Sequence, residues 1–234
     1  MCTRFVLLQE HLTALLQQLG LGDATGYATR YNIAPMTRVP AVRATPKRES
    51  VALRWGLVPA WAKEDVGFRM VNARAETLAE KPAFRDALRQ RRCVIPASGY
   101  YEWKTVGSTK LPWLFQTHDE QPFLCAGLWA SWPGGDNPPL ETCSVITTEP
   151  NELAATVHNR MPVVLDAAAA EAWLDPRETD PVRLAALLQP LPAAKMTARA
   201  VSRFVSNVRH ESPACLEPAG PADSGESPQL SLGL

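Results

Sequence analysis

The sequence predicts a single α+β domain built on a curved, barrel-like mixed β-sheet with surrounding helices. Strand-like stretches dominate the middle of the chain, and helical patterns punctuate its ends. Strands and helices do not alternate regularly and there is no Gly-rich phosphate loop, which argues against a doubly wound sheet. At 234 residues and 46% apolar composition the chain has ample material for a core, while 21 prolines cut many segments short.

Leu12, Leu15, Leu16 and Leu19 recur at helical spacing, with Gly20 and Gly22 as stop signals, so a short amphipathic helix is expected there. Strand patterns follow at 39–44, 51–58 and 68–72. Pro82 is tolerated in a first helical turn and opens an expected helix over 82–90. Strand patterns return at 93–95, 100–104, 113–117, 123–129 and 142–147. Asn151 is a good N-cap for a short helix ending before His158. Asp166 caps an expected helix over 167–174, and another is expected over 181–188. From about Ser212 the composition turns to Ser, Pro, Ala, Gly and acidic residues. The domain is therefore expected to span 1–212, with 213–234 a disordered tail that ends in apolar text.

Lys plus Arg and Asp plus Glu both number 24, so whole-chain charge gives no argument for nucleic acid, and only a local basic face could bind it. The five cysteines (2, 93, 125, 143, 215) include no C-x-x-C pair and sit in apolar text, which suggests reduced core thiols. The four histidines show no ligand spacing, so no metal is expected, and no cofactor either. Neither a signal peptide nor a bilayer-length apolar run is present. A reduced cytoplasmic setting, no membrane partner and a monomer are expected.

Cys2 follows the initiator methionine, and a small second residue favours methionine removal. Removal would leave an α-amine and a thiol on one carbon, with ordinary pKa values near ~8 and ~8.5. Such a 1,2-aminothiol condenses with an aldehyde to a Schiff base, and the sulfur can then close a thiazolidine ring. Four polar clusters supply what imine chemistry needs: Arg30–Pro35, Asn72–Thr77, Gly99–Lys104 and His158–Pro162. Taken singly, each is ordinary: Asn72 a turn residue, Arg74 a surface charge, Glu102 a solvent-facing strand residue, His158 a helix-end cap. Taken together, Glu102, a carboxyl among aromatics, can serve as the acid for ring opening and dehydration. The Asn72 amide can hold an amine without protonating it, and His158 can pass protons near neutrality. Arg4, Arg74 and Arg160 can hold phosphates with forked geometry.

These clusters, with Met1–Phe5, Trp55–Trp61 and Val201–Asn207, resemble the SOS response-associated peptidase family, in order, from residue 1 to about 210. The resemblance implies an abasic-site processing protein that binds single-stranded DNA and forms a thiazolidine crosslink through processed Cys2. It implies that Asn72 orients the amine and that Glu102 and His158 are the proton-transfer pair. It further implies that Arg4, Asn32, Arg74 and Arg160 hold the DNA backbone, with Trp61 stacking on a base. The chain departs from the pattern at Thr3, where glycine is usual, and at Ala62, where a second aromatic is often found.

The resemblance carries autopeptidase-type activity in removing Met1, and a lyase outcome is an alternative fate of the Schiff base. A cysteine peptidase and a non-covalent single-strand or clamp-binding module remain open readings. Gln229, Leu230, Leu232 and Leu234 resemble the short motif with which bacterial replication and repair proteins bind the sliding clamp, through a glutamine amide and apolar pockets.

Overall fold

The computed structural model describes residues 2–44, 47–134 and 138–220. In chain order the elements are β1 (Arg4–Leu7), α1 (Gln9–Gln18), β2 (Arg30–Ile33), β3 (Arg38–Ala44), β4 (Arg48–Trp55) and β5 (Asn72–Arg74). Next come α2 (Arg85–Gln90), β6 (Arg92–Ala97), β7 (Gly99–Val106), β8 (Thr109–Thr117), β9 (Phe123–Trp132) and β10 (Leu140–Thr148). The last are α3 (Glu152–Ala155), β11 (Met161–Pro162), β12 (Val164–Leu165), α4 (Ala167–Leu174), α5 (Pro181–Ala186) and β13 (Met196–Ala200).

Five strands close on themselves. β4 pairs with β3, β3 with β6, β6 with β9 and β9 with β10, all antiparallel, and β10 returns to β4 in parallel with Cys143 opposite Trp55. Closure leaves no free edge among these five, which is how a small barrel avoids edge-to-edge association. The far half of β10 extends past the barrel and takes β5 in parallel and β11 antiparallel. A second sheet, ordered β13-β8-β7-β1-β2, lies against the barrel. The Ser98 N–H donates to the Val6 carbonyl at 2.8 Å, tying β1 to the turn between β6 and β7.

The core explains why β6 reads as unbroken apolar text. All six of its residues are buried, because one face fills the barrel and the other meets α4 and α1. Trp173 of α4 is fully buried and its indole N–H donates to the Cys93 carbonyl at 3.0 Å. Beside it the buried Arg92 guanidinium donates to the carbonyls of Leu88, Arg89, Trp173, Asp175 and Glu178. A planar cation with five donors satisfied by fixed carbonyl oxygens holds the end of α4 against the barrel wall.

The sequence expectation for the two capped helices holds. Asp166 accepts from the Ala169 N–H and Asn151 from the Ala154 N–H. The 68–72 strand does not form as expected. Gly67–Arg69 makes a 3-10 turn and extended pairing starts only at Asn72. The expected strand over 51–58 begins at Arg48 and stops at Trp55, where Gly56 takes φ +129°. A Cβ on Gly56 would meet the Gly67 carbonyl oxygen at 2.8 Å, and one on Gly67 would meet the Gly56 oxygen at 2.5 Å. Two bare backbones thus pinch the base of the intervening loop. The Arg54 fork on Asp65, at 2.6 and 2.8 Å, staples the same base, and Trp132 donates to the Ala62 carbonyl at 2.8 Å farther out.

The expected domain boundary at 212 falls short of the packed chain. Pro213–Leu216 forms a 3-10 turn, Cys215 is fully buried, and Pro218 bridges to Val201. The segment pairs back along residues 200–202, at the end of β13 and just beyond it. Residues 221–234, with Gln229, Leu230, Leu232 and Leu234, lie outside the described residues.

Candidate active site

Residues from distant parts of the chain meet beside the start of β1. Cys2 is buried at 3% exposure just before that strand, and its Sγ lies 4.0 Å from the Arg4 carbonyl. Strand β5 aligns Asn72 opposite Val145 of β10, and the Asn72 amide donates to the Cys2 carbonyl at 2.8 Å. Among the described residues the other end of that amide, Oδ1, is buried without a hydrogen-bond partner. An unpartnered acceptor next to residue 2 suits a free α-amine, which has N–H groups to donate.

Glu102 sits on β7 at 3% exposure. Alternation on β7 puts Tyr100 and Glu102 on one face and Tyr101 on the other. Burial pushes the Glu102 carboxyl above its ordinary range. His158 follows α3, with its Nδ1 4.0 Å from Glu102 Oε1. The Arg160 backbone N–H donates to that Nδ1 at 3.1 Å, which places the ring proton on Nε2 in the neutral tautomer. Burial also lowers the His158 pKa, so the ring favours its neutral form. A carboxyl inclined to keep its proton thus faces an imidazole inclined to lack one. Desolvation, with Glu102 and Cys125 nearby, raises the Cys2 thiol well above an ordinary cysteine.

Glu102 and His158 open onto a groove of about 970 Å³ lined also by Thr3, Arg4, Trp103, Lys110, Arg203 and Ser206, and the buried Cys2 precedes its wall residue Thr3. Thr3 therefore stands in the groove wall, next in sequence to residue 2. Trp103 donates to Ser206 Oγ at 3.0 Å, so the Val201–Asn207 segment forms part of that wall. Lys110, on β8, carried no motif in the sequence. Its place in the groove comes from the β7–β8 pairing, which only the fold reveals.

The residues expected to contact DNA separate into two groups. Trp61 is 64% exposed on the loop anchored by Ala62, and Arg74 is exposed two residues beyond Asn72 on β5. Arg4 lines the groove while its Nη1 donates inward to Asn32 Oδ1 at 2.8 Å and to the Val205 carbonyl at 3.0 Å. Asn32 is 1% exposed, and its amide nitrogen lies 2.9–3.1 Å from the carbonyls of Val205, Asn207 and His210, so it clasps the 205–210 segment. The Arg160 fork binds Glu76 at 2.7 and 2.9 Å and the Thr147 carbonyl at 2.6 Å.

Among the described residues no cluster of His, Cys, Asp and Glu could hold a metal ion, and no helix is long and apolar enough to cross a membrane.

Comparison with known proteins places this arrangement. Residues 1–208 match the family model described as SOS response associated peptidase (SRAP). The chain is 40% identical to abasic site processing protein YoqW of Bacillus subtilis, over 93% of this chain and 99% of that one. It is 31% identical to abasic site processing protein HMCES of Gallus gallus, over 82% of this chain and 67% of that one. A crystal structure of a protein from Bacteroides thetaiotaomicron superposes with a TM-score of 0.84 at 26% identity, covering 94% of this chain and all of the other.

Proposed function

The chain belongs to the SOS response-associated peptidase family, and on that premise we propose that it processes abasic sites in DNA by forming a covalent crosslink through Cys2. The observation that carries the reading is that Asn72 holds residue 2 directly behind the groove wall at Thr3, while Glu102 and His158 face each other in that groove.

Removal of Met1 frees the Cys2 amine beside the unpartnered Asn72 oxygen, which accepts one of its hydrogens and turns its lone pair toward the groove. Neutral Glu102 gives a proton to the ring oxygen of the abasic sugar as His158 Nδ1, exchanging its bond from the Arg160 N–H, takes one from the hydroxyl, which opens the sugar to its aldehyde. His158 returns its proton to Glu102. The amine adds to the aldehyde carbon and passes a proton to the oxygen to give the carbinolamine, and Glu102 then protonates the departing hydroxyl so that one water leaves. The resulting iminium places a positive charge next to the sulfur, which lowers the thiol pKa at the moment it must ionise. Sulfur then bonds to the same carbon, the C=N electron pair returns to nitrogen, and the thiol proton passes to the Glu102–His158 pair. The net change is the loss of one water.

Single-stranded DNA fits the groove, since the reacting sugar has to reach a buried residue 2. Arg4, Lys110 and Arg203 line the groove with positive charge, and Arg74 and Trp61 stand exposed on neighbouring elements. Met1 removal is the peptidase-type step of this reading, and a monomer supplies every residue. If elimination outran ring closure, the Schiff base would instead nick the strand as a lyase. The segment from Gln229 to Leu234 is proposed to engage the sliding clamp, tested by clamp pull-down with and without the last six residues.

Intact mass spectrometry of the processed protein mixed with abasic single-stranded oligonucleotide tests the main reading. A species equal to protein plus DNA less one water is expected, absent with intact DNA and absent for Cys2→Ala. Equal yield from Cys2→Ala would overturn it.

A further inference from the structure

Tyr100 has no place in the steps above, yet it is built into the same cluster. It is 1% exposed, and its ring stacks on Phe115 at 4.9 Å and 6° between planes. Its register opposite Phe5 on β1 and its position two residues before Glu102 fix the direction of the phenol. Among the described residues its hydroxyl is buried without a hydrogen-bond partner. Leaving such a group unpaired costs about 1–3 kcal/mol, and Phe would fill the same space at no such cost. The groups whose charge reaches the hydroxyl are Cys2 ahead of β1, Glu102 on β7 and Cys125 on β9, and burial together with these keeps the phenol protonated. His158 faces Glu102 from the other side. A phenol that never ionises is a permanent donor, and the partner it lacks is an acceptor.

We propose that Tyr100 is a positioning residue, its hydroxyl donating a hydrogen bond to the Cys2 sulfur as that sulfur ionises to close the thiazolidine ring. The proposal rests on the reading of Cys2 as the nucleophile. It assigns the unpaired hydroxyl to a species that exists only during reaction. A neutral thiol gains little from a donor, whereas a thiolate gains the larger energy of a charge-assisted bond.

The test is Tyr100→Phe in the full, Met1-processed chain. Volume and ring stack are retained, so the melting temperature is expected to hold or rise slightly. Alkylation of Cys2 by iodoacetamide, followed on the Cys2 peptide against pH, reads the thiol without any DNA. Its midpoint is expected to move up by about one pH unit, and ring closure on abasic oligonucleotide to slow about tenfold, with more imine trapped by borohydride. Repeating the titration in Glu102→Gln separates the phenol's effect from the carboxyl's. An unchanged midpoint with an unchanged crosslinking rate would overturn the assignment. A wild-type protein that forms no adduct would instead refute the crosslinking reading, while a shifted midpoint would still support the Tyr100–Cys2 contact.

Discussion

Replacing Asn32 by Ala separates a structural clasp from a DNA contact. In the fold its two amide hydrogens are divided among the carbonyls of Val205, Asn207 and His210, and its oxygen accepts from Arg4 at 2.8 Å. The Val205 carbonyl keeps a donor after truncation, because Arg4 also reaches it at 3.0 Å. The losses are therefore the bonds to Asn207 and His210 and the charge-assisted bond from Arg4. At about 1–1.5 kcal/mol each, Asn32→Ala should cost about 3–4 kcal/mol, a large part of the stability of an ordinary domain. Urea unfolding followed by tryptophan fluorescence measures it, as a lower midpoint at unchanged slope. Asn32→Asp keeps an acceptor for Arg4 but turns an acceptor toward three carbonyls, so it should lose most of the same stability. A loss under about 1 kcal/mol for Asn32→Ala, together with weakened DNA binding, would refute the clasp and restore a ligand role.

Glu102→Gln should slow crosslinking on the order of a hundredfold, since it removes the proton donor. Because burial raises this carboxyl, the wild-type rate should fall as pH rises through its pKa, and the variant should lack that limb. The folded state also holds this proton more tightly than the unfolded chain. Stability should decline between the unfolded and folded pKa values as pH rises, and Gln should flatten that decline in a pH series of melting temperatures. Trp61→Ala removes an exposed ring from an anchored loop, so fluorescence anisotropy should show single-strand affinity reduced about five- to fiftyfold, with thermal stability unchanged. Glu76→Gln releases the Arg160 fork, and the slope of log affinity against log salt should steepen by about 0.7; an unaltered slope would mean that the fork stays buried without its carboxylate.

Much of the fold was legible where local chemistry decides. Asp166 and Asn151 announce helix starts because a side-chain oxygen satisfying a first-turn N–H is a short-range matter. The barrel strands announce themselves through apolar runs. Strands β1, β2 and β13 gave no such signal: β1 and β2 have four residues each, β13 has five, and their pairing partners lie far along the chain, as Arg4 opposite Tyr101 illustrates. The apolar-polar text at 68–72 looked like a strand, but the contact between Gly56 and Gly67 turns the backbone there. Residue type and order pointed to Cys2, Asn72, Glu102 and His158 as one cluster, and the fold brings Asn72 to Cys2 and His158 to Glu102. Partner choice was not readable. A guanidinium fork fits a carboxylate as well as a phosphate, so nothing in the text of Arg160 distinguishes Glu76 from DNA.

The pinch between Gly56 and Gly67 has a consequence for how this surface can diversify. Neither position admits a side chain while the other backbone stays put, and the positive φ at Gly56 adds a second reason, so both remain glycine. With the Arg54–Asp65 fork beside them, they act as a socket whose dimensions do not depend on most of what is plugged into it. Residues between the two glycines can be lengthened, shortened or exchanged without disturbing the barrel rim, provided Asp65 and the Ala62 carbonyl retain their partners. Trp61 rides on that insert. On the proposed reading, the Trp61 surface can be exchanged by grafting one short loop, leaving Cys2, Glu102 and His158 untouched.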